Sequence, residues 1–246
     1  MTKIFSFLLL CVAPYLASSQ GNRTAAHLDW AREEDVFLTR LAEFIPWKEK
    51  YRYIEFRDGN VFYASHKESS SIKLNYNLYL HKIEMINEQR DTSFLPNFEI
   101  IKYILLDKDL YYHDVNKGYF ELLGNPNDSI RLVGQRQLRI LGREEISNTD
   151  NPKLTTSKDS FSVEYFPLNH SLPREKVTLS RTISFFVMDG NDEIHSATKS
   201  SFLKLFPKSK KQIEGYLAQM ARQRTPIKFD EEEGLKKLLA FCLNRP

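Results

Sequence analysis

The clearest pattern in the chain is a two-residue alternation from Ser71 to Leu80. Ile72, Leu74, Tyr76, Leu78 and Leu80 fall on one side, and Lys73, Asn75, Asn77 and Tyr79 on the other. A strand with one buried and one wet face gives this pattern. Shorter alternations appear at Tyr51–Phe56, Val61–Ser65, Lys82–Ile86, Ile101–Leu106, Leu110–His113, Tyr119–Leu123, Ile130–Val133 and Leu138–Leu141. Turn-forming residues divide them: Asp58-Gly59-Asn60, Asn116-Lys117-Gly118 and Gly124-Asn125-Pro126-Asn127. The stretch Arg143–Lys158 is polar and predicts a loop. Alternation resumes at Phe161–Tyr165 and Val177–Val187, with a break at Arg181 and a closing turn at Asp189-Gly190-Asn191-Asp192. Short strands following one another without helices predict an antiparallel meander, either an open sheet or a barrel.

Helical spacing brackets this region. Trp30, Phe37, Leu38, Leu41 and Phe44 share one face of a predicted helix from Asp29 to Phe44, which ends before Pro46. Ser201–Phe206 predicts a short helical turn, and Lys208–Arg222 a helix with Ile213, Tyr216, Leu217 and Met220 on its apolar face. A last helix carries Leu235, Leu238, Leu239 and Leu243, with Asp230 as its expected N-cap and Glu233 completing a capping box. The expected fold is mainly β (α+β): an antiparallel meander with an N-terminal helix and a C-terminal helical pair. The expected divisions are 1–19, a signal segment; 20–46, an N-terminal helical segment; 47–195, a β-rich domain with a polar loop near 143–158; and 196–246, a C-terminal helical segment.

The first 19 residues change the picture of compartment. Lys3 precedes the apolar run Ile4–Ala13, Pro14 interrupts it, and Ala17 and Ser19 supply small residues before Gln20. These are the three parts of a cleavable signal peptide, and the run is too short to cross ~30 Å of hydrocarbon as a helix. The expectation is an exported protein, periplasmic or extracellular in the cell envelope, cleaved between Ser19 and Gln20. No later apolar stretch has membrane-spanning length. Lys and Arg total 35 against 32 Asp and Glu, without a basic cluster of the kind nucleic acid needs. Cys11 would leave with the signal, so Cys242 would stand alone, without an intramolecular disulfide. The core alone should hold the fold, with no cofactor and no metal required.

Several strings together resemble a family of uncharacterised exported proteins of Bacteroidota, with a β-rich region followed by a C-terminal helix pair. They are Trp47-Lys48-Glu49-Lys50-Tyr51-Arg52-Tyr53 with Phe56 and Asp58-Gly59; Lys73-Leu74-Asn75-Tyr76-Asn77-Leu78 with Glu84-Met85; Ile101-Lys102-Tyr103; and Phe202-Leu203-Lys204-Leu205-Phe206-Pro207-Lys208. The resemblance covers most of the chain after the signal, the helix at Asp29–Phe44 least. It implies the compartment and the architecture, and it carries no activity.

Candidate chemistry is sparse. The six histidines are scattered, with no pair at the spacing of a helical zinc site. Asp107, Asp109, His113 and Asp114 could converge on a metal, although a solvated turn explains them more simply. Asp189, Asn191, Asp192 and Glu193 suggest a calcium loop, but lack the EF-hand spacing. There is no phosphate-cradling glycine loop and no nucleophile elbow. Tyr79, on the outer side of the best strand, and the basic run Lys208, Lys210 and Lys211 are the candidate binding surface. The reading is a non-enzymatic envelope protein that binds a partner protein, a lipid or a glycan. The alternative is a hydrolase with dispersed acidic residues, since paired carboxylates can come from distant positions.

Overall fold

The computed structural model describes residues 36–65, 71–95, 101–147, 153–167 and 172–244. The expected signal segment and the first part of the expected N-terminal helix lie outside the described residues. The chain divides into two compact units, 1–43 and 44–246. The described part of the first is helical, within a helix (α1) described over 36–44, and its Phe37 and Leu41 are buried one turn apart. A second short helix, α2 (Trp47–Lys50), follows Pro46.

The second unit is built on an eleven-stranded antiparallel sheet. Its strands are β1 (Arg57–Tyr63), β2 (Ile72–Asn77), β3 (Lys82–Ile86), β4 (Thr92–Phe94), β5 (Ile101–Leu106), β6 (Asp109–Asp114), β7 (Gly118–Leu122), β8 (Arg131–Ile146), β9 (Ser160–Tyr165), β10 (Arg174–Met188) and β11 (Ile194–Ser196). The spatial order is β4-β3-β2-β1-β5-β6-β7-β8-β10, and both β9 and β11 line the outer edge of β10. The sheet curls until the Leu138 N–H donates to the Leu78 carbonyl at 2.9 Å and the Tyr76 hydroxyl to the Arg136 carbonyl at 3.0 Å. No ladder joins β8 to β2, so the meander is an open sheet and not a barrel.

Four segments depart from the alternation pattern. The strand expected over Ser71–Leu80 ends at Asn77, and the chain then turns, leaving Leu80 exposed and not on the inner face. Tyr51–Phe56 is not a strand: apart from one bridge between Tyr51 and Asn77, it crosses as a series of bends. Asp58-Gly59-Asn60 is not a turn but lies inside β1. Gly59 serves close approach there, because a Cβ would come within 2.9 Å of the Leu105 carbonyl oxygen and of Leu74 Cδ1. The stretch starting at Arg143 is not yet loop: after a bulge at Leu141, β8 continues to Ile146, and Gly142–Ile146 pairs with β10. Its polar residues are satisfied across the ribbon, Arg143 by Glu175 at 2.6 Å and Glu144 by Lys176 at 3.3 Å. By contrast, Asn116-Lys117-Gly118 turns as expected, with Gly118 at φ +85°.

The C-terminal helices α3 (Lys199–Leu205), α4 (Lys210–Arg222) and α5 (Glu232–Leu243) cover one face of β8 and β10. Leu132, Phe185 and Val187 from the strands pack with Phe202, Ile213, Leu235, Leu238, Leu239 and Cys242 from the helices. Tyr216 of α4 stacks on Phe241 of α5 with centroids 4.1 Å apart. Thr198 caps α3 by accepting from the Ser201 N–H. Asp230 is not the cap of α5: Glu231 occupies that position, and no side chain caps the helix there.

Candidate functional site

Register builds two contrasting rows across β1, β5, β6 and β7. On one face Val61 lies opposite Ile104, Ile104 opposite Tyr111, and Tyr111 opposite Glu121. On the other, Phe62 lies opposite Tyr103, Tyr103 opposite Tyr112, and Tyr112 opposite Phe120. Side chains alternate along every strand, so one register decides both rows.

The second row is an aromatic ladder. Phe62 and Tyr103 stack at 4.5 Å and 23°, and Tyr103 meets Tyr112 at 6.4 Å. Phe120, at the far end, is fully buried under Phe186, edge to face at 5.0 Å. Phe62 and Tyr103, at the near end, are half-buried and form the floor of an open groove of about 560 Å³. The hairpin between β10 and β11 walls the groove with Met188, Asp192 and Ile194, while Lys102 and His113 add polar groups. Arg131 fastens this wall to the ladder. It lies over the Tyr112 ring at 5.0 Å, donates to the Tyr112 hydroxyl at 3.0 Å, and pairs with Asp192 at 2.6 Å.

The first row leads into a buried polar network. Glu121 accepts from Arg136 at 2.6 Å and faces Arg52 at 3.5 Å. The Tyr53 hydroxyl donates to Asp109 and meets the Tyr111 hydroxyl at 3.2 Å, and Tyr111 stacks on Tyr76 at 5.6 Å. Burial pushes the phenols of Tyr53, Tyr76 and Tyr111 well above the ordinary tyrosine range. Each carboxylate here has donors, which is how buried charge is tolerated. The network holds the interior of the curl.

The sequence candidates land on separate elements. Tyr79 sits in the turn after β2, half-buried, its phenol pushed up to about 12 by burial and by the neighbouring Tyr165. Lys208, Lys210 and Lys211 are exposed together where α4 begins. Neither belongs to the groove. Asp107, Asp109, His113 and Asp114 do not share a centre: Asp107 pairs with Arg57, Asp109 accepts from Tyr53, His113 stacks on Tyr119, and Asp114 accepts from the Asn116 and Lys117 N–H groups.

Among the described residues, one set of Asp, Glu and His side chains converges closely enough to share a cation: Asp189, Glu193 and His195, with ligand atoms within 4.8 Å of one another. His195 Nε2 stands 3.5 Å from Asp189 Oδ2 and 3.9 Å from Glu193 Oε2. Burial raises the Asp189 pKa, but the Glu193 and Asn191 N–H groups and His195 outweigh it and lower the pKa overall. Asn191 and Asp192, taken from sequence as possible calcium ligands, are not in this set; Asp192 is held by Arg131. The sequence pattern missed His195 because Asp189 meets it only across the hairpin, although Glu193 stands two positions before it.

Compared with known proteins, the chain matches no family model, no curated protein and no solved structure. Among the described residues, no helix is long and apolar enough to cross a membrane.

Proposed function

We propose that this is an exported, non-enzymatic cell-envelope protein that binds a glycan on the aromatic ladder. The observation that carries the reading is the half-exposed Phe62–Tyr103 stack flooring a groove of about 560 Å³. That volume lies within the ~300–1,000 Å³ typical of small-molecule sites. Flat aromatic faces suit the apolar face of a sugar ring, and Lys102, His113 and Asp192 supply donors and acceptors for its hydroxyl edge. Export rests on the N-terminal signal pattern, and the resemblance to exported Bacteroidota proteins supports it. The hydrolase alternative would draw on Asp189, Glu193 and His195, which stand on the opposite side of the hairpin from Met188 and Ile194 of the groove wall.

A glycan array probed with the purified protein tests the reading. Binding should fall at least tenfold in Phe62→Ala/Tyr103→Ala, as expected when about 1.4 kcal/mol or more is lost, and should persist in Lys208→Glu/Lys210→Glu/Lys211→Glu. Binding to anionic lipid vesicles that disappears in the lysine variant, with no glycan bound, would overturn it.

A further inference from the structure

We propose that Asp189, Glu193 and His195 form a binding site for a divalent transition-metal cation of the Zn²⁺ class on the β10–β11 hairpin. In this hairpin Val187 lies opposite His195 and Met188 opposite Ile194, and the Asp189 N–H extends the pairing to the Glu193 carbonyl at 3.1 Å. Alternation therefore places Asp189, Glu193 and His195 on one face, with Met188 and Ile194 on the other.

The donor set has the spacing a cation requires. Three donors about 2.1 Å from a tetrahedral ion lie about 3.4 Å from one another. His195 Nε2 and Asp189 Oδ2 are already 3.5 Å apart, and Glu193 Oε2 is 3.9 Å from the same nitrogen. That nitrogen is shielded from solvent and has no hydrogen-bond partner, although it is turned towards two carboxylates. An imidazole nitrogen in this position has a ligand's geometry without a hydrogen bond's.

The surrounding contacts hold the donors ready. Asp189 Oδ1 accepts from the Asn191 N–H at 2.9 Å and the Glu193 N–H at 3.0 Å, which leaves Oδ2 aimed at His195. Arg131 grips the turn through the Asp189 carbonyl at 3.2 Å and the Asp192 carboxylate at 2.6 Å. Arg131 neutralises Asp192, whereas the Asp189 and Glu193 carboxylates meet the His195 ring, so negative charge is left for a cation to neutralise. One imidazole with two carboxylates favours zinc over calcium, which prefers an all-oxygen shell. Glu193 is exposed, so the remaining coordination positions open to water. The inference does not depend on what the groove binds.

Calorimetric titration of the chelator-treated protein with ZnCl₂ tests the site, with Co²⁺ absorption as a second readout. One equivalent should bind saturably, and the Co²⁺ complex should show ligand-field bands. His195→Ala and Glu193→Gln should each weaken binding at least ~tenfold, and His81→Ala should leave it unchanged. His195→Ala and Glu193→Gln remove no hydrogen bond that builds the turn, so an unaltered circular dichroism spectrum separates lost binding from lost folding. Absence of saturable zinc binding, equal binding by His195→Ala, or calcium bound as tightly as zinc would each overturn the proposal.

Discussion

Leu74, Asn75 and Lys73 show how much a single strand position decides. Leu74 is fully buried, and Lys73 is exposed in an ion pair with Asp58. Asn75, which alternation places on the wet face, is also fully buried. Its amide donates to the Tyr53 and Glu55 carbonyls and its Oδ1 accepts from the Tyr53 N–H, tying down the bent crossing over β2. Leu74→Asp, an unpaired charge in the core, should cost more than about 4 kcal/mol. Asn75→Ala, which strands three backbone groups, should cost about 1–3 kcal/mol, and Lys73→Asp no more than about 1 kcal/mol. Thermal melts of the three variants check that order.

The buried phenols set a pH limit. Burial raises the pKa of Tyr51, Tyr53, Tyr76, Tyr111 and Tyr119 above the ordinary tyrosine value of about 10. Their neutral forms therefore favour the folded state, and this stability is fully present below pH ~10 and lost as pH rises above it. Alkaline titration followed at 295 nm should show tyrosines that ionise late and together with unfolding, whereas in denaturant all titrate near 10. Simple, early titration of every tyrosine in the folded protein would contradict the buried network.

At the scale of elements, sequence legibility followed where the burying partner lies. Alternation located β2, β3, β5, β6, β7 and the start and middle of β8, because one face of each meets a core. It failed at Asn75 and Asn77, where the 51–56 crossing and the Glu84 carboxylate cover the second face. It also failed at Arg143–Glu145, which pairs with β10 and whose Arg143 and Glu144 side chains meet Glu175 and Lys176 across the ribbon, a long-range fact that composition cannot show. The candidate site was less legible. Phe62, Tyr103 and Tyr112 become neighbours only through register, and His195 meets Asp189 only across a hairpin.

The C-terminal helical stripes were legible, and their partner is now defined. Ile213, Leu235, Leu238 and Leu239 pack over Leu132, Phe185 and Val187, at about 1.5–3 kcal/mol for each buried side chain. Removing everything after Phe206 should uncover that face, lower the melting temperature and shift the protein to larger species in size-exclusion chromatography. A monomeric truncation with an unchanged melt would mean the helices contribute nothing to the sheet.

In the second unit, the sheet divides its labour by face. One side carries the polar network inside the curl and the helix-covered core; the other carries the aromatic ladder, covered at Phe120 and open at Phe62 and Tyr103. The β10–β11 hairpin links the two, with Met188 and Ile194 on the groove and Asp189, Glu193 and His195 behind it. A glycan recovered from the array can be titrated into isotopically labelled protein and followed by solution NMR. The largest shifts should fall on the rings of Phe62, Tyr103 and Tyr112 and on the Lys102 amide, with Tyr79 and the start of α4 unmoved. Shifts centred on Tyr79 or on Lys208, Lys210 and Lys211, with the ladder silent, would contradict it.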